Sequence, residues 1–170
     1  MERYSSAACA MVMVVLGGCQ PPAQQQTAQA LPPSFSLKCV GPEQVEMERE
    51  GVKQPAVPGA PAEVFYRWND ETKTLVTEHP GTEATAFCHD DGQEECSIAV
   101  ADGRLVGKSF DLRRGNAPDA VNSFSEKVDI DLAALSGTAT MTTSVGTLTD
   151  EAAKVHQKTT VRMTLSCVPS

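Results

Sequence analysis

The chain has 170 residues, a length that suits one domain, and its 14 Lys and Arg against 22 Asp and Glu give a net charge of −8. Such an acidic chain is a poor match for nucleic acid or anionic lipid surfaces, which repel it. Aromatic side chains make up 5% of the sequence, too few for an extended stacking platform or an aromatic cage.

At the N-terminus Arg3 precedes an apolar run, Ala7 to Leu16, that ends in Gly17-Gly18-Cys19. A charged start, a short apolar run and small residues are the plan of a secretory signal. The run is too short to cross a bilayer, which takes roughly 20 apolar residues. Leu16-Gly17-Gly18-Cys19 resembles the lipobox of bacterial lipoproteins. That resemblance implies a signal peptide at 1–18, cleavage before Cys19, and acylation of the Cys19 thiol and its new amine, with palmitate the usual added chain. Small residues at 17 and 18 let extended backbone enter a peptidase cleft. Two or three acyl chains, at about 0.8 kcal/mol per buried CH₂, anchor stably where one is marginal. Gln20 follows the cysteine, where the enterobacterial sorting rule reads Asp as inner-membrane retention, so the resemblance implies the outer membrane. Cleavage removes Glu2 with Arg3 and leaves the net charge at −8.

Residues 19–34 form a lipidated cysteine and a Pro/Gln/Ala tether without apolar periodicity. As a flexible coil it reaches roughly 20 Å, and as a polyproline-like chain roughly 45 Å. A spacer is the expected role.

A folded domain is expected over 35–170. Phe35-Ser36-Leu37-Lys38-Cys39-Val40 alternates as a strand that Gly41-Pro42 ends. Val45–Glu50 reads as a charged strand, and Gly51–Pro61, with three prolines and two glycines, as a loop. Val64–Trp68 and Lys73–Thr77 flank Asn69-Asp70-Glu71-Thr72, a hairpin with turn formers at its tip. A second hairpin is expected from Thr85–Cys88 and Cys96–Val100 around Asp91-Gly92. Asp102-Gly103 turns into a strand over Arg104–Leu112, and 113–125 reads as loop. Val128, Ile130 and Leu132 alternate with Asp129 and Asp131, and Ser136-Gly137 leads into Thr-rich Thr138–Val145. Thr149–His156 carries helix signals: a capping Thr149, acids Asp150 and Glu151 early, Lys154 and His156 late. Thr159–Cys167 is the closing strand.

Many short strands and one short helix predict an all-β domain. A small antiparallel barrel is favoured, with a lipocalin-like form or a sandwich as alternatives.

Six cysteines are present; Cys9 leaves with the signal and Cys19 is lipidated, so four remain in an oxidising compartment. Phe35, Leu37 and Cys39 share one strand face, and Val161, Met163, Leu165 and Cys167 share another. Neighbouring first and last strands would bring Cys39 to Cys167, while Cys88 and Cys96 sit on two arms of one expected hairpin. In the chain-entropy model these links are worth about 5 and about 2.6 kcal/mol.

Chemistry is harder to find. Cys88-His89-Asp90-Asp91-Gly92-Gln93-Glu94-Glu95-Cys96 gathers two thiols, an imidazole and four carboxylates. Its spacing is that of no standard zinc knuckle, and it lacks the ligand pattern of a calcium loop. Gly-x-Ser-x-Gly, His-Glu-x-x-His and Ser-x-x-Lys are absent from the sequence. His79, His89 and His156 fall in polar stretches, as surface residues do, and Asp129 and Asp131 lack a visible acid–base partner. The expectation is therefore a non-enzyme with no cofactor or metal.

Two roles compete. One is an envelope interaction or structural module with an acidic surface for a basic protein partner. In outline such a lipid-anchored, disulfide-linked barrel resembles the membrane-bound C-type lysozyme inhibitors. Where that family continues from Ser-Gly into a basic residue and a Tyr, Ser136-Gly137 continues Thr138-Ala139-Thr140, so no inhibitory residue is carried over. The other role is a lipocalin-like binder of a small apolar ligand. The Phe35-x-x-x-Cys39 strand, and Val128–Leu132 leading into Ser136-Gly137, also resemble a group of small cysteine-containing envelope proteins of Gram-negative bacteria that has no assigned activity.

Overall fold

The computed structural model describes residues 32–89, 93–115, 117, 119–148 and 153–170. Among these residues it has twelve strands: β1 Phe35–Gly41, β2 Glu43–Arg49, β3 Val52–Lys53, β4 Val57–Pro58, β5 Ala62–Asn69, β6 Thr74–Glu78, β7 Thr85–Ala86, β8 Gln93–Ala101, β9 Arg104–Arg114, β10 Ala120–Asp131, β11 Ser136–Leu148 and β12 Ala153–Pro169. They form one curled antiparallel half-barrel sheet in the order β7-β6-β5-β1-β12-β11-β10-β9-β8. Among the described residues there is no helix, and so none long and apolar enough to cross a membrane.

The first and last strands are neighbours, with Cys39 directly opposite Cys167. β2 continues β1 along β12 in unchanged register, since Val40 pairs Ser166 and Glu43 pairs Met163. Between them Pro42 has no N–H to donate, and Gly41 is required because a Cβ there would lie 1.9 Å from the Thr164 carbonyl oxygen. At this break the outer neighbour changes: β1 lies against β5, whereas β2 lies against the short β3 and β4.

Turn chemistry is local. Asn69 Oδ1 accepts from the N–H groups of Glu71 and Thr72, and Asp102-Gly103 has φ of +51° and +73°, the two left-handed residues of a type I′ hairpin. Asp131 Oδ1 accepts from Ala134 and Ala133 at 2.8 and 2.9 Å, and these two bonds hold its carboxyl below the usual range.

Inward residues of the central strands fill one end of the curl. Leu37, Cys39, Val64, Tyr66, Trp68, Leu75, Leu105, Val128, Ile130, Leu165 and Cys167 are buried together. The chain ends of the domain meet at this packed end. Ser170 N–H donates to the Ser36 carbonyl, and Asp70 N–H donates to Ser34 Oγ.

Four expectations are corrected. Gly51–Pro61, read as a loop, carries the two-residue strands β3 and β4 paired to β2. β7 and β8 do not form a hairpin: β7 pairs back onto β6 and β8 forward onto β9. The stretch 113–125 is mostly strand, because β9 runs to Arg114 and β10 starts at Ala120. The expected helix at 149–156 is replaced where it can be seen: 149–152 lie outside the described residues, and 153–156 belong to β12. Cap and dipole preferences of about 1 kcal/mol each are outweighed by pairing with β11, which resumes beyond a register shift at Val145/Gly146.

Candidate functional site

Antiparallel register stacks the inward residues of β9, β10 and β11 in cross-strand rows. Leu105, Ile130 and Gly137 form one row, and Gly107, Val128 and Ala139 the next. The following row is Ser109, Glu126 and Met141, and beyond it come Asp111, Phe124 and Thr143. The concave face thus passes from aliphatic to polar or charged within two residue steps along β9 and β10, while β11 continues through Met141 before Thr143. β6 makes the same change, with Leu75 followed on the inner face by Thr77, and His79 beyond the strand end.

Where the aliphatic rows end, the curl holds a cleft of about 550 Å³. Phe87, Phe124 and Met141 give it apolar walls, and Thr77, Ser109 and Glu126 give it polar ones. A second cleft of about 490 Å³ shares His89, Arg113 and Phe124 with the first and reaches Asp111 and Thr143.

Phe87 crosses from one sheet edge toward the other. Its N–H extends the β6–β7 pairing by donating to the Leu75 carbonyl at 2.8 Å. Its ring rests on Gly107 of β9, where a Cβ would lie 3.0 Å from the ring and 2.9 Å from Val128. The next residue, Cys88, is disulfide-bonded to Cys96 of β8. Since β7 and β8 are the two ends of the strand order, this disulfide spans the gap between the sheet's edges instead of clamping a hairpin. The second disulfide, Cys39–Cys167, joins directly paired residues 4.0 Å apart at Cα.

Charges in the cleft are unevenly matched. Asp111, only 5% exposed, accepts from Arg113 Nε at 2.5 Å through Oδ2, while its buried Oδ1 has no hydrogen-bond partner among the described residues. Glu126 has neither a hydrogen bond nor an ion pair among the described residues. Burial pushes its carboxyl up to about 7, because the charged form loses hydration that nothing replaces. Tyr66 of β5 is fully buried with its hydroxyl unpartnered. Burial, and then the charge of Glu126, raise its phenol well above the usual value.

The residues singled out in the sequence lie elsewhere for the most part. Leu16, Gly17, Gly18 and Cys19 are outside the described residues, as are Asp90, Asp91 and Gly92 of the acidic loop. Cys88 and Cys96, read also as possible zinc ligands, are a disulfide, and among the described residues no group of three or more His, Cys, Asp or Glu is arranged to hold a metal ion. Asp129 points outward and pairs with Arg104 at 2.6 Å. His156 is tied by Nδ1 to Glu50 at 2.8 Å and by Nε2 to Thr147 Oγ1 at 3.0 Å. The hydrogen bond to His156 is the main cause that holds the Glu50 carboxyl below its ordinary value. His79 and His89, expected at the surface, line the cleft.

Glu126, Asp111, Phe124 and Met141 were not singled out by sequence reasoning. A signal existed: the alternation of Ile130 and Val128 continues backward through Glu126 and Phe124 on the same strand face. No protein-family model matches the chain, and a search of curated proteins returns no match.

Proposed function

We propose that this protein is a lipid-anchored binding module of the bacterial envelope, whose concave face takes up a small ligand with an apolar part. On this reading the curled sheet is a small barrel, and Cys88–Cys96 fastens its two edges beside the mouth. Anchoring falls to Cys19 at the outer membrane, with residues 20–34 as the tether, and the protein binds without catalysing a reaction.

One observation carries the reading. The interior stops being solid core at the row of Ser109, Glu126 and Met141, and opens into a cleft of about 550 Å³ flanked by two aromatic rings. Small-molecule sites commonly have this size and this mix of apolar wall with a few polar groups. Docking of a basic protein rests on the net charge of −8 alone, which the one-for-one ion pairs Lys38–Glu63, Arg67–Glu78, Arg104–Asp129, Lys108–Glu95 and Arg162–Glu46 leave unchanged.

The test is native mass spectrometry of the protein isolated from its own cells, beside a Met141→Trp variant that fills the cleft. A small mass on the wild type that the variant loses is the expected result. A bare monomer that instead crosslinks to a second protein would overturn the reading.

A further inference from the structure

We infer that the cleft selects ligands whose polar end is a positively charged nitrogen, an alkylammonium or similar organic cation with a short apolar body. The inference rests on reading the concave face as a ligand site, and it names the chemistry of that ligand.

Charge complementarity supplies the argument. Among the described residues, two carboxylates face the joined clefts, Glu126 from β10 and Asp111 from β9, against one guanidinium, Arg113. Arg113 Nε is committed to Asp111 at 2.5 Å. Glu126 is therefore the carboxylate left uncompensated, and it sits in the row between Ser109 and Met141. An anionic ligand would meet it with like charge. A neutral one would strip its remaining hydration and return no opposite charge, which is costly in a site of low polarity. A cation supplies that charge, in a cleft that Phe87 and Phe124 also line. The alkyl part of the ligand then lies against Met141 and the aromatic rings. The other titratable groups around the site are His79 after β6, His89 after β7 and Tyr66 on β5.

Three probes with one tail separate the possibilities: octylammonium, octanol and octanoate, titrated calorimetrically into the full mature chain at pH 8. Octylammonium should bind about tenfold more tightly than octanol, with octanoate weakest. Glu126→Gln, with an unchanged circular dichroism spectrum, should abolish the preference. In the wild type the same preference should shrink at pH 5, where the carboxyl is protonated, which tests the inference even where the variant does not fold. Octanol or octanoate binding as tightly as octylammonium would overturn the inference while leaving the ligand site standing. Failure of all three probes to bind would overturn the ligand site itself.

Discussion

Replacing Glu126 with Gln should stabilise the protein by about 3 kcal/mol at pH 8 and leave its stability at pH 4 nearly unchanged. Glu126 is the perturbation of choice because its carboxyl is raised from 4.5 to about 7 in the folded chain by burial. Each unit of displacement corresponds to about 1.36 kcal/mol, so ionising this side chain in the folded state opposes folding by about 3 kcal/mol. The sign follows from proton counting. Between roughly pH 4.5 and 7 the folded state keeps a proton that the unfolded state releases, so stability falls as pH rises through that window. Above it both states are ionised and the full penalty is present; below it both are protonated and none remains. Gln keeps the shape of the protonated acid and cannot ionise. His79 and His89 line the same cleft, but they are present in both proteins and largely cancel in the difference. Urea denaturation with the disulfides intact, at pH 4, 5.5 and 8, gives two stability curves. They should converge at pH 4 and separate progressively toward pH 8. Curves that stay parallel across the range would refute the assignment of an ionisable, desolvated carboxyl at this position.

Other perturbations probe the frame around the cleft. Replacing both Cys39 and Cys167 with Ser should lower the unfolding free energy by up to about 5 kcal/mol in guanidinium titrations, since the link joins residues 128 apart in sequence; a loss under about 1 kcal/mol would contradict that role. Gly107→Ala places a Cβ within 3.0 Å of Phe87 and Val128, and overpacking of this kind should cost about 1–3 kcal/mol. The Phe87 ring resonances should shift with it, and an unshifted spectrum at full stability would show that the ring does not rest on β9. Cys19→Ser should move the protein from the membrane fraction to the soluble envelope fraction; retention in the membrane would remove the lipid anchor from the proposal.

Legibility in the sequence followed the apolar pattern. Phe35-x-Leu37-x-Cys39 and Val161-x-Met163-x-Leu165-x-Cys167 alternate cleanly because both inner faces are core, and that alternation brings Cys39 to face Cys167. The β5–β6 hairpin was legible from Asn69, whose side chain organises its own turn. The cleft was hidden for the opposite reason. At Arg113 and Asn122 the inner face is itself polar, so the period of two loses its hydrophobic marker and 113–125 reads as loop. Separation of β7 from β8 was equally obscure. Cys88 and Cys96 are only eight residues apart in sequence, and nearness along the chain suggested pairing where the fold places the two outer edges of a sheet.

Chain direction at the packed end has a bearing on access. Ser34 and Ser170 lie together there, beside the Asp70 turn, while the cleft opens beyond the opposite ends of β6, β9 and β10. Attachment through either end of the domain therefore reaches it at the packed base and not at the cleft. On the proposed anchoring at Cys19, the tether would join that base and leave the cleft's opening clear of the attachment point.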